Sequence, residues 1–268
     1  SNLQNDNREF YNSNVTICSW NIQTFFDAVM DGNEYSEFLK SSSWNEDKYL
    51  TRVKRLCEVI ELLNSDILVF LEVEKESLAY DICNNLSYQT NLKKAYHYSC
   101  FLKDKDSSIG SLILSRVPLK NVKSHQCLVD IKDMGQQPSL RPILEVDIAV
   151  NNIGDNDNQN VEKNEELSVI KLFVCHWKSK TGGEEKTEIW RNYQENLLAQ
   201  IINNCGTTRF VCCGDFNRNY ADFTKISDKN TTEEEKKVNQ CNVVFRGRDF
   251  VVPVYSPWQN SNDLGTYH

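Results

Sequence analysis

This sequence predicts an α+β fold, a two-layer β sandwich flanked by helices. Three observations lead there. Strand-like runs occur in both halves, and each half has its own helices, without a regular strand–helix–strand alternation. Neither G-x-G-x-x-G nor a P-loop is present, so a doubly wound sheet around a nucleotide fits poorly. The 268 residues are 40% hydrophobic, enough for one large sandwich spanning residues 1–268 as a single domain.

The elements follow from local patterning. Val15-Thr16-Ile17-Cys18-Ser19-Trp20 is rich in β-branched and aromatic residues and reads as a strand. Leu50, Val53, Leu56, Cys57, Ile60 and Leu63 recur at helical spacing, which predicts a helix over 46–63. Asn64-Ser65 breaks it, a buried strand runs from Asp66 to Val73, and a helix follows over 78–86. Ile109–Ser115 and Pro142–Val150 read as further strands. The polar, Asn-rich stretch Asn151–Glu166 reads as a solvated loop or insertion. Leu167–Trp177 is a strand, and Glu188–Asn203 is an amphipathic helix with Ile189, Tyr193, Leu197, Leu198 and Ile201 on one face. Phe210–Cys213 is a short buried strand, and Thr231–Lys237 reads as a helix start with a charged, exposed face.

Charge and cysteine usage narrow the function. Acidic residues number 38 against 30 basic ones, for a formal net charge of −8 and a pI near 5.2. Proteins that grip nucleic acid along a broad face need clustered Lys and Arg, so the balance favours a small or short phosphoester over a long duplex. A local basic patch on an acidic body stays compatible. No run reaches the ~18 consecutive apolar residues of a membrane span, and a soluble monomer is expected. The ten cysteines contain no C-x-x-C pair, which excludes zinc-ribbon spacing. Cys18, Cys175, Cys212 and Cys213 sit in apolar runs as small hydrophobes, so reduced thiols are expected. The compartment stays open: reduced thiols favour the cytoplasm, and a secreted chain with its signal peptide removed would look the same.

Four polar clusters close strand-like runs. Gly214-Asp215-Phe216-Asn217 ends Phe210–Cys213, and places a carboxylate and an amide two residues apart. Such a pair can orient and deprotonate a water or hold a phosphate; the same residue types also make a plain turn. Glu72 ends the apolar run after Asp66 and would be costly to bury without a partner such as a hard cation. A strand emerging into solvent explains it equally. Asn21 closes the first strand. His176, with Lys178 and Lys180 after it, can polarise a phosphoryl group, or His176 can be a packed neighbour of Trp177. A Cys175–His176 thiol pair is disfavoured because adjacent strand residues point to opposite faces.

Together and in this order, Ser19-Trp20-Asn21-Ile22, Leu71-Glu72-Val73-Glu74, His176-Trp177-Lys178-Ser179 and Gly214-Asp215-Phe216-Asn217 resemble the endonuclease/exonuclease/phosphatase superfamily of deoxyribonuclease I-like metal-dependent phosphoesterases. Ile109–Pro118 and Arg141-Pro142-Ile143-Leu144 are similar to its pattern as well, and the resemblance covers Val15 to about Asn217. It implies a Mg²⁺-dependent hydrolase, with Mn²⁺ as a possible substitute, acting on a nucleic acid or a small phosphorylated molecule. It implies Glu72 as the principal metal ligand with Asn21 in the metal shell. Asp215 would activate the attacking water, Asn217 would hold the phosphate or metal environment, and His176 would donate to a non-bridging phosphate oxygen. Arg141 and Lys178 are the candidate substrate-binding residues.

The family pattern also includes a final Asp-His pair on its last strand. Here the sequence stops at Gly265-Thr266-Tyr267-His268, so those strands are expected to be missing from the C-terminus. The alternative reading is a non-catalytic binding module that keeps the sandwich but lacks the pair.

Overall fold

The computed structural model describes residues 14–87, 91, 93–129, 135–151, 167–224 and 243–260. The elements run β1 (Ile17–Phe25), α1 (Glu46–Leu63), β2 (Ile67–Val73), α2 (Leu78–Asn85), β3 (Tyr98–Leu102), β4 (Gly110–Ser115) and β5 (Leu119–His125). They continue with β6 (Ile143–Asn151), β7 (Leu167–His176), α3 (Glu184–Asn204), β8 (Phe210–Asp215), α4 (Tyr220–Thr224), β9 (Val243–Arg246) and β10 (Val251–Val254). Two four-stranded sheets have the orders β1-β2-β4-β3 and β5-β6-β7-β8, and β9 pairs with β10. The chain forms two compact units, the first from residues within 1–124, 144–174 and 209–214, the second from residues within 125–143, 175–208 and 215–268.

The first unit is the expected α+β sandwich. In the first sheet β1 and β2 run parallel, whereas β4 lies antiparallel to both β2 and β3. Strand alternation divides β2 between two cores. Ile67, Val69 and Leu71 meet Leu144, Val146, Ile148, Leu172 and Val174 of the second sheet. Leu68, Phe70 and Val73 face Val53, Leu56, Cys57 and Ile60 of α1 and Ile82 of α2. With both faces covered, β2 reads as a continuous apolar run in the sequence. Each fully buried Leu, Ile or Phe in it contributes about 1.5–3 kcal/mol.

Helix α1 has the bounds the sequence predicts, because both of its ends are signalled locally. The Asn45 side chain accepts from the Lys48 N–H at 3.0 Å, Glu46 and Asp47 occupy the first turn, and Asn64 closes the helix in a left-handed conformation. Its buried stripe differs from the expected one. Tyr49 is buried and its hydroxyl donates to Asp81 at 2.6 Å, while Leu50 and Leu63 are 45% and 48% exposed. An amphipathic tyrosine can bury its ring against the core and keep its hydroxyl paired, which a count of aliphatic residues does not register.

Strands β3 and β5 were not expected. Both are edge strands, and in β5 only Leu119 and His125 escape full exposure. Residues 120–124 are exposed on both faces of β5, so no apolar alternation marks the second sheet's margin in the sequence. On that sheet Lys171 bridges Glu145 at 2.9 Å and Asp147 at 2.8 Å, and Asn121 donates to Asp147.

The second unit is organised around α3. The helix begins four residues earlier than expected, and its buried face is not the aliphatic one. Thr187, Arg191, Gln194, Glu195, Leu198, Ala199 and Ile202 are buried, whereas Ile189 is 37% exposed. Polar residues occupy that face because they are paired there, as the site shows below. Trp177, Phe216, Phe223 and Phe245 form an aromatic cluster with centroid separations of 4.9–6.1 Å. The loop expected after Asn151 and the helix start expected at Thr231–Lys237 lie outside the described residues. No described helix is long and apolar enough to cross a membrane.

Candidate active site

Glu72 is where β2 stops being regular. Alternation would send it onto the helix-facing row after Leu68 and Phe70. Instead the register with β4 breaks between Leu71 and Val73, Glu72 takes φ 65°, and Val73 fills the next place on that row. A bulge of this kind re-aims one side chain and spares the apolar core a charge. The carboxylate is then held from β1: Asn21 Nδ2 donates to Oε1 at 3.0 Å and the Thr24 N–H to Oε2 at 3.0 Å. A carboxylate only accepts, so the Asn21 amide presents its NH₂ group, while its Oδ1 accepts from the Gln23 N–H at 3.0 Å. Gln23 and Thr24 also have left-handed backbone, at φ 51° and 55°. For a β-branched threonine this is an outlier costing about 1–3 kcal/mol, of the kind that clusters at functional sites.

A second acidic group lies in the same unit. One carboxylate oxygen each from Asp31, Glu34 and Glu74 lies within 4.8 Å of the others. Lys75 sits in this acidic neighbourhood, 3.0 Å from Asp27, 3.6 Å from Glu74 and in contact with Asp31. Glu74 Oε2 also accepts from the Asp27 N–H at 3.0 Å. The neighbouring acids hold the Lys75 ammonium well above its ordinary pKa. The group is therefore compensated by a resident cation, and Glu72 is not one of its members.

His176, Asp215, Asn217, Arg141 and Lys178 all belong to the second unit. His176 closes β7 and Asp215 closes β8. The Trp177 N–H donates to the Asp215 carbonyl at 2.8 Å and ties the two ends together. Asp215 Oδ1 accepts from the Asn217 N–H at 2.9 Å, an Asx turn that fixes the carboxylate. Gly214 at φ 125° and Asn217 at φ 50° allow the chain to turn this sharply. Asn217 is buried and its Nδ2 donates to the Trp177 carbonyl at 3.0 Å. Burial, with the Arg141 charge acting in the same direction, pushes the His176 imidazole down to about 3. His176 is thus a neutral imidazole at working pH. Lys178 is half-buried, whereas Lys180 is buried and paired with Glu184 at 2.6 Å.

Arg191, which the sequence offered for a local phosphate patch, is instead buried and paired, and with Arg218 and Gln194, which the sequence did not single out, it holds this corner in place. Arg218, next after Asn217 and only 3% exposed, meets Glu195, Asn192 and Glu188, the last at 2.7 Å. Arg191, fully buried, donates to the carbonyls of Lys178 at 3.0 Å and Glu184 at 2.9 Å, and pairs with Glu188. Gln194 Oε1 accepts from the Lys178 N–H at 2.8 Å. These contacts explain the polar face of α3. The available signal was Arg191 and Glu195 standing four apart on a helix, which reads as a solvated pair in sequence. None of the nine cysteines among the described residues is in a disulfide, and burial pushes the Cys213 thiol up to about 12.

The chain belongs to the Endonuclease/Exonuclease/phosphatase family, whose profile matches residues 16–247. That family comprises metal-dependent phosphoesterases, nucleases and phosphatases among them. Similar solved structures include an endonuclease/exonuclease/phosphatase family protein from Leptotrichia buccalis (14% identity over 78% of this chain and 68% of that one, TM-score 0.47). A β-hairpin deletion mutant of β toxin from Staphylococcus aureus is 17% identical over 84% of this chain and 71% of that one, with a TM-score of 0.46. The human Nocturnin catalytic domain is 15% identical over 79% and 70%, with a TM-score of 0.44. The comparison with curated proteins found no match.

Proposed function

We propose that this chain hydrolyses a phosphate ester with a divalent cation, Mg²⁺ or Mn²⁺, held by Glu72. The observation that carries the reading is the bulge: a regular β2 would bury Glu72 among apolar side chains, and the chain adopts left-handed backbone at three residues to present and orient that carboxylate instead. Its donor set is hard oxygen, which suits a cation that commonly takes only one or two carboxylates. Such a cation supplies Lewis-acid polarisation of a phosphoryl oxygen.

The other roles follow from protonation and geometry. Asp215, fixed by the Asn217 N–H, orients a water and accepts its proton. Neutral His176 donates one N–H to a non-bridging phosphoryl oxygen, with no protonation step of its own. Asn217 spends its side chain on the Trp177 carbonyl, so its part is to hold the turn that carries Asp215. Asn21 orients Glu72 through its NH₂ group. Arg141 and Lys178 supply positive charge for the phosphate. The acidic net charge favours a short or small phosphoester over a gripped duplex.

The test is turnover of bis-p-nitrophenyl phosphate and of plasmid DNA with Mg²⁺, with Mn²⁺ and with EDTA. Metal-dependent hydrolysis that disappears in Asp215→Ala supports the reading. Hydrolysis unaffected by EDTA, or unchanged in Asp215→Ala, rejects it.

A further inference from the structure

The acid at the β2 bulge is held by β1, and that part of β1 is itself held from the helix layer. Arg52, on α1, reaches three successive carbonyls: Nη1 donates to the Thr24 carbonyl at 2.7 Å, and Nη2 donates to those of Ile22 at 3.0 Å and Gln23 at 2.5 Å. Its guanidinium lies over the Phe25 ring at 5.2 Å from the centroid and over Phe38 at 5.9 Å. These carbonyls flank the two left-handed residues Gln23 and Thr24, and the N–H groups of the same two residues orient Asn21 and Glu72. The carbonyls converge on Arg52 while the amides face the acid. In an extended strand successive carbonyls point in alternate directions, so gathering three on one guanidinium requires the unusual backbone seen here. The planar fork of Arg, with five donors, can bridge three acceptors; a lysine ammonium cannot reproduce its shape or ring stacking.

We propose that Arg52 is a positioning residue for the metal carboxylate: by clamping the carbonyls of residues 22–24 it fixes the amides that aim Asn21 and Glu72, and so sets cation affinity without touching the cation. This rests on the reading of Glu72 as the metal ligand.

The experiment is Mn²⁺ titration of the full chain followed by electron paramagnetic resonance, with circular dichroism confirming that each variant is folded. Arg52→Met is expected to weaken Mn²⁺ binding by about 10–100-fold, the range found for supporting residues behind metal ligands. Arg52→Lys is expected to fall between Met and wild type, and serves as the readout if Arg52→Met does not fold. Adding Thr24→Gly to the Arg52 variant, which removes the cost of left-handed backbone at residue 24, is expected to recover part of the affinity. A residue that merely stabilises the fold would lower the melting temperature and leave the affinity of the folded protein unchanged; that result overturns the proposal. Glu72→Gln separates the two ideas. If it binds Mn²⁺ as wild type does, the reading of Glu72 itself fails. If it loses binding while folded Arg52 variants keep theirs, only the role of Arg52 fails.

Discussion

Glu72 and Asp215 are both acids that end an apolar strand, but they are held by different physics. Glu72 sits on a bulge and is aimed by an amide side chain and a backbone N–H, with Arg52 gripping neutral carbonyls behind them. Asp215 sits on an Asx turn, and the turn is backed by ion pairs of the buried Arg218, Arg191 and Glu195 with each other and with the half-buried Glu188. The first arrangement stores its cost in backbone conformation, the second in desolvated charge. Breaking them should therefore look different: the first through metal affinity, the second through activity, stability and pH.

The largest effect expected is on catalysis at the second region. Asp215→Asn keeps the turn's acceptor and removes the base, so kcat should fall by about 10²–10⁴-fold with little change in melting temperature. Steady-state kinetics beside calorimetry would read both. Next comes the network: Arg218→Leu leaves Glu195 buried without its cation and should cost about 3–5 kcal/mol in urea unfolding. An unchanged urea midpoint would show that Glu195 finds another partner.

A smaller effect concerns pH. The folded pKa of His176 is about 3, below its ordinary 6.5, so between these values the unfolded chain binds the extra proton. Its contribution to stability is complete above about pH 6.5 and is lost as pH falls toward 3. Between pH 7 and 4.5 the loss should be about 2–3 kcal/mol, and His176→Gln should remove that part of the dependence. The smallest effect belongs to the first region: Asn21→Ala should weaken Mn²⁺ binding by about tenfold and leave global stability within about 1 kcal/mol.

The helix α1 and the strand β2 were legible because their caps and continuous apolar runs are local signals. Edge strands β3 and β5 were not: β3 spans only the five residues Tyr98–Leu102, too few for an alternation to stand out, and β5 is exposed from Lys120 to Ser124, so it carries none. The face of α3 was misread for the same kind of reason. Arg191, Gln194 and Glu195 look like solvent-facing residues until the backbone of Lys178 and the Arg218 side chain are brought against them. The candidate positions Asn21, Glu72, His176, Asp215 and Asn217 come from motif order. How they are held could not be read from it, because Arg52 and Arg218 act through partners 23–30 residues away in sequence.

The most direct test of the account is where the cation goes. Mn²⁺ binding and phosphodiester turnover should be measured together on wild type, Glu72→Gln and Glu34→Gln. Glu72 as the ligand predicts that Glu72→Gln loses binding and turnover by at least about a hundredfold, while Glu34→Gln, in the acidic group already served by Lys75, behaves as wild type. Loss in Glu34→Gln with full binding and turnover in Glu72→Gln would contradict it.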